Sequence, residues 1–139
     1  MIQIIELDTA TPQDGVKTIE KAITATLHNT KYNVVVNLCS DQFMLEQNTK
    51  SLGHNYYTDI ITYYYDEENP LNDAELLISL DRVKENANNL KVPVLNELAR
   101  VVIHGCLHLT GFNDTTETEQ QAMRLEENKI LQKVFHVER

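Results

Sequence analysis

The sequence predicts an α+β domain, a small four-stranded mixed sheet packed by about five helices. Three observations carry that expectation. Four short runs are dense in β-branched and aromatic residues and are bounded by turn formers. Five longer stretches carry apolar residues at helical spacing or open on helix-start signals. The resulting order, β-α-β-α-β-β-α-α-α, ends in two consecutive strands and three consecutive helices, unlike a strictly alternating parallel sheet. A chain of 139 residues fits one domain spanning 1–139, long enough to bury about 68–70% of its unfolded surface without disulfides.

Each element follows from local chemistry. Residues 1–7 (MIQIIEL) are Ile-rich and alternate weakly, a strand. Residues 11–29 open with Thr11 as cap and Pro12 at the first helical position, and Val16, Ile19, Ile23 and Leu27 form an apolar stripe. Residues 32–40 (YNVVVNLCS) make a buried strand, and 41–50 a short helix starting at Asp41. Residues 58–66 (TDIITYYYD) and 74–80 (AELLISL) are strands joined through the Pro- and Asn-containing turn at 68–73, a hairpin or short crossover. A polar, exposed helix covers 81–90. The most apolar helix runs from Pro93 to Gly111, where glycine closes it. The last helix starts at the capping box Thr116–Glu119, and Met123, Ile130, Leu131 and Val134 supply its buried face.

Composition narrows the functional classes. Cys39 and Cys106 each lie in apolar runs, which reads as two buried thiols in a reducing compartment. The first residues carry no basic, apolar leader pattern, and no apolar run approaches the ~20 residues of a membrane span, so the expected location is the cytoplasm, with no membrane partner. A net charge of −9 argues against a nonspecific nucleic-acid binder, which needs clustered Lys and Arg. It does not exclude RNA contacted by a few local cations.

The chemistry is concentrated in residues 104–114, HGCLHLTGFND. Residues four apart on a helix stand one above the other, so His104 and His108 present their rings on one face. That is how a helix donates two nitrogens to one metal, as in the metal helix of zincins. Gly111 can reverse the chain in a left-handed turn and bring Asp114 back as a third ligand. Three protein ligands with one open position is the arrangement of a catalytic zinc. Asp114 has an alternative role as helix cap, though Thr115 and Thr116 can serve there. Cys106 lies on the opposite face and is expected in the core. Gly105, a mid-helix glycine costing roughly 0.5–1 kcal/mol relative to alanine, implies a close approach, either by a neighbouring element or by substrate. Peptidases of the HExxH type place their glutamate base directly after the first histidine, where this chain has Gly105. The missing base counts against a metallopeptidase, the other enzymatic alternative.

The stretch ELARVVIHGCLHLTGFND resembles the signature of the YbeY endoribonucleases, HGxLHLxGxD followed by His. YYTDIITYYY and AELLISL are similar to that family's T-D-V-L-S-F and G-D-I-x-I-S strands, so the resemblance covers about residues 33–131. It implies a zinc-dependent, single-strand-specific endoribonuclease acting in 16S rRNA 3′-end maturation and ribosome quality control, with ribosomal RNA and the small subunit as partners. By position it implies zinc ligands at His104, His108 and Asp114, one ion per chain. The third is histidine in many members, so an oxygen donor replaces a nitrogen. Leu52 stands where many members carry an arginine, and Ala74-Glu75 stands where they carry Gly-Asp. Arg100, four residues before His104 on the same helical face, is the candidate substitute for phosphate contact; the competing reading pairs it with Glu97. A noncatalytic ribosome-assembly factor, its metal merely pinning the last two helices, is the rival function.

Overall fold

The computed structural model describes residues 2–28, 33–52, 58–64 and 74–135, with the side chains of Ser51, Leu52 and Tyr64 outside that description. Four strands, β1 (Ile2–Glu6), β2 (Val34–Cys39), β3 (Ile60–Tyr64) and β4 (Ala74–Ser79), form one sheet in the order β1-β2-β4-β3. β1 and β4 each pair parallel to β2, whereas β3 pairs antiparallel to β4 with Ile60 opposite Ile78. The sheet is mixed, as the order of elements predicts; β3 and β4 are antiparallel neighbours, and the turn expected at 68–73 lies outside the described residues.

The helices are α1 (Gly15–Leu27), α2 (Asp41–Leu52), α3 (Leu80–Leu90), α4 (Val94–Leu109) and α5 (Glu117–Val134). Successive side chains of a strand point to opposite faces, and the strands use both. Val34, Val36, Leu38, Leu76 and Ile78 join the main core with residues of α1, α3, α4 and α5, while Cys39, Leu77 and Ile61 pack with Met44 of α2 on the other face. Both cysteines are free and buried.

Two boundaries differ from the sequence reading for local reasons. Helix α1 starts at Gly15 rather than Pro12, because Gly15 N–H closes a turn onto the Pro12 carbonyl and Asp14 takes a left-handed conformation, φ 64°. Thr11 instead donates through its hydroxyl to Glu6 at 2.7 Å, tying the loop to β1. Val16, expected in the buried stripe, is 45% exposed. Leu80 belongs to α3: the Ser79 hydroxyl accepts from the Arg82 N–H and caps the helix one residue past the strand. That helix is also less polar in its placement than expected, burying Leu80, Val83 and Ala87.

Helix α4 is central, in contact with α1, α3, α5, β3 and β4. Gly105 makes its approach to the sheet possible, as a Cβ there would lie 2.8 Å from Ile60 Cδ1 and 2.9 Å from Leu76 Cδ2. The close neighbour at this glycine is therefore the sheet, not substrate. Among the described residues, no helix is long and apolar enough to cross a membrane.

Candidate metal centre

The end of α4 is built as a Schellman closure. Gly111, with φ +104°, donates its N–H to the His108 carbonyl at 3.1 Å, and Phe112 donates to the Leu107 carbonyl at 3.0 Å. This reversal returns the chain beside the histidines. Thr116 then caps α5 through a complete capping box with Glu119, which leaves the Asp114 carboxylate free of capping duty. Gln120 holds the loop from the other side, its Nε2 donating to the Asp114 carbonyl at 3.0 Å.

Three donor atoms converge here. His104 Nε2 and His108 Nε2 are 3.1 Å apart, and Asp114 Oδ2 lies 3.2 Å from the first and 3.5 Å from the second. A tetrahedral ion with bonds of about 2.0–2.1 Å separates its ligands by roughly 3.3–3.4 Å. The three sides of the triangle bracket that spacing.

The opposite ring nitrogens fix the protons. His108 Nδ1 lies 3.0 Å from the Phe112 carbonyl, which only accepts, so Nδ1 is the donor. His104 Nδ1 lies 2.7 Å from Glu127 Oε2 and donates to that buried carboxylate. With both Nδ1 atoms protonated, neutral rings turn bare Nε2 lone pairs toward each other and toward a carboxylate oxygen. Such a cluster of acceptors repels itself unless a metal ion or an Nε2 proton sits among them. The set His104, His108 and Asp114 can hold a metal ion, and its outer hydrogen bonds are those that orient metal-bound imidazoles.

The surrounding charges are ordered by burial. The hydrogen bond to Glu127, followed by the charges of Asp114 and Asp59, raises the His104 pKa against the opposing effect of burial. Burial raises Glu97 as well, partly offset by Arg100, and it raises Asp59. Arg100 bridges the carboxylates: Nε and Nη2 both lie 3.2 Å from Glu97 Oε1, and Nη1 lies 3.8 Å from Glu127 Oε1. The Glu97 pairing of Arg100 is the one observed, and the same side chain lines a cavity with His104. Leu52 ends α2, but its side chain lies outside the described residues. Cys106 is buried in the core, its thiol pushed up to about 12 by desolvation, and has no part in the cluster.

Glu127 escaped the sequence reading. Its signal was available: it falls between Met123 and Ile130 on the buried face of α5. A carboxylate on such a face needs a partner. Asp59, beside the cavity on the approach to β3, carried no comparable signal.

The family model described as Endoribonuclease YbeY matches residues 3–135. The chain belongs to that family. Among curated YbeY relatives, all named Endoribonuclease YbeY, the Bacteroides fragilis protein is 44% identical over 111 residues, covering 80% of this chain and 79% of its own length. The protein of Phocaeicola vulgatus is 48% identical over 93 residues, 67% of either chain. That of Christiangramia forsetii is 43% identical over 129 residues, 91% of this chain and 86% of its own. Among solved structures, the solution structure of TM1509 from Thermotoga maritima superposes with a TM-score of 0.70 at 25% identity, covering 97% of this chain and 89% of the other. Family membership and the local geometry both bear on the centre at the end of α4.

Proposed function

We propose that this chain is a zinc-dependent, single-strand-specific endoribonuclease acting in 16S rRNA 3′-end maturation and ribosome quality control in the cytoplasm. Its partners on this reading are ribosomal RNA and the small ribosomal subunit, and residues 1–139 act as one unit. The observation that carries the reading is the triangle of His104 Nε2, His108 Nε2 and Asp114 Oδ2 in a chain of the YbeY family. Two nitrogens and one oxygen at tetrahedral spacing suit zinc and leave a fourth position for water or a phosphate oxygen. When bound, the ion supplies a Lewis acid and a water acidified toward neutral pH.

The chain's own groups divide the remaining work. Glu127 and the Phe112 carbonyl hold the two imidazoles in the tautomer that presents Nε2. Arg100, tethered by Glu97, places positive charge beside the centre, where it can offset charge on a phosphate. Gly105 occupies the slot where HExxH peptidases carry their glutamate base, which counts against the peptidase alternative. No general acid or base is assigned.

The test is elemental analysis of protein purified without added metal, combined with cleavage of labelled single-stranded RNA. One zinc per chain is expected, with cleavage lost in His104→Ala and on chelation, and casein left intact. Leu52→Arg, which restores the arginine that the YbeY resemblance implies, is expected to raise cleavage. Equal residual cleavage in all three proteins would point to a contaminating nuclease and favour the noncatalytic assembly factor.

A further inference from the structure

A cavity of about 530 Å³ opens beside the metal centre between α3, α4 and α5, with His104 and Asp114 in its wall. Its volume is that of a small-molecule site, typically about 300–1,000 Å³. The wall is sorted by chemistry. On the α4 side Glu97 and Glu127 are buried and engaged with Arg100 and His104. On the opposite side α3 contributes the amides of Asn86 and Asn89, one helical turn apart, and the apolar side chain of Leu90. Among the described residues, neither amide is taken up by a protein partner. Arg124 of α5 stands at the rim, 62% exposed and only 3.8 Å from Glu127 through its Nε.

Resting on the endoribonuclease reading, we propose that this cavity seats one unstacked nucleotide beside the cleaved bond, with Asn86 and Asn89 reading its base edge and Arg124 meeting an adjoining phosphate. Asparagine amides carry both donors and acceptors, which is what a base edge requires. A guanidinium at the rim suits a phosphate in the chain or the face of a neighbouring base. A base held in a duplex stack cannot enter such a seat, so the cavity selects for single strands. The charge balance adds a condition. Four carboxylates (Asp59, Glu97, Asp114 and Glu127) and two arginines line the cavity, so a divalent ion in the triad makes the wall less negative. Losing the ion leaves the seat less favourable to a polyanion. Nucleotide binding is therefore coupled to metal binding.

The experiment titrates zinc-loaded protein with each of the four nucleoside 5′-monophosphates, following side-chain amide resonances by NMR. It is paired with sequencing of the ends produced from a random single-stranded RNA pool. Wild type is compared with Asn86→Ala/Asn89→Ala and with Arg124→Ala, all checked for zinc content and circular dichroism, since none of these residues touches the triad. Expected are amide shifts at Asn86 and Asn89 and unequal affinities among the four monophosphates. In the double variant that inequality falls roughly fivefold or more, and the base preference at one position flanking the cut shifts. Arg124→Ala is expected to weaken all four alike and to lessen the salt slope of RNA binding by about 0.7. Chelation is expected to weaken monophosphate binding in wild type. If RNA is cut but the variants keep wild-type affinities and end sequences, the seat is overturned and the ribonuclease reading stands. If monophosphates bind through the asparagines but no RNA is cut, the seat stands and the reading falls. Neither binding nor cleavage would overturn both.

Discussion

Asp114 places a negative charge in a centre whose other donors are neutral rings, and the consequences are local. His108→Ala is expected to lose most of the bound zinc. Asp114→Ala weakens it sharply, whereas Asp114→His retains it, because a third imidazole is an ordinary zinc donor. Full metal retention in Asp114→Ala, by elemental analysis, would move the third ligand elsewhere. Glu127 acts one bond further out: Glu127→Ala is expected to lower zinc affinity about 10–100-fold, read by competition with a chromogenic chelator. Glu127→Gln is expected to fall between, since its amide oxygen still accepts from His104 Nδ1. The same contact sets a pH dependence. The His104 pKa is raised from 6.5 mainly by the Glu127 hydrogen bond. In the metal-free protein the pair's stabilisation is therefore full below the unfolded value and fades as pH rises through the folded one. Zinc acts in the opposite sense, because the ring must first release its Nε2 proton. The rise in Tm on adding zinc is expected to be larger near about pH 8 than near about pH 6. A rise independent of pH would count against His104 as a ligand.

At the scale of elements, α4 sits where it does because one residue has no side chain. Gly105→Ala improves helix propensity, yet its Cβ would fall inside contact with Ile60 and Leu76. A net destabilisation of about 1–3 kcal/mol is expected, measured by denaturant unfolding, with overpacking outweighing propensity. An unchanged midpoint would mean that both side chains swing aside freely. Thr116→Ala removes the hydroxyl half of the capping box and is expected to cost about 0.5–2 kcal/mol. It also slackens the turn that carries Asp114, so zinc affinity falls with it. These elements were legible in unequal measure. Periodicity and caps located α4, α5 and all four strands, because hydrophobic spacing and Thr116–Glu119 act within a few residues. The start of α1 was not legible, since Thr11 is engaged by Glu6 across five residues. Nor was the start of α3, because Ser79 ends a strand and caps a helix with one side chain. The two histidines and Asp114 could be read from spacing, but Glu127 sits 23 residues beyond His104, and only the packing of α5 on α4 joins them.

Across the whole molecule, the charge of −9 leaves RNA few cations to contact. The log–log salt dependence of RNA binding is expected to be shallow, between about −0.7 and −2 for one to three phosphates. A slope steeper than about −4 would reveal a larger basic surface in use. The mixed sheet was legible from the order of its elements, but the insertion of β4 between β2 and β3 was not, because which strands become neighbours is decided by pairing between distant segments. The triad also has a mechanical side. Two of its donors sit on α4 and the third on the turn that launches α5, so a bound ion clasps the two helices across that turn. Withdrawing zinc would then leave the sheet intact and release the clasp first. Amide hydrogen exchange is expected to quicken at 110–116 and in the opening turns of α5 while β2 and β4 stay protected. On the zinc reading, the metal-free protein would stay folded but slack at one helix, its stiffness reporting whether the site is filled.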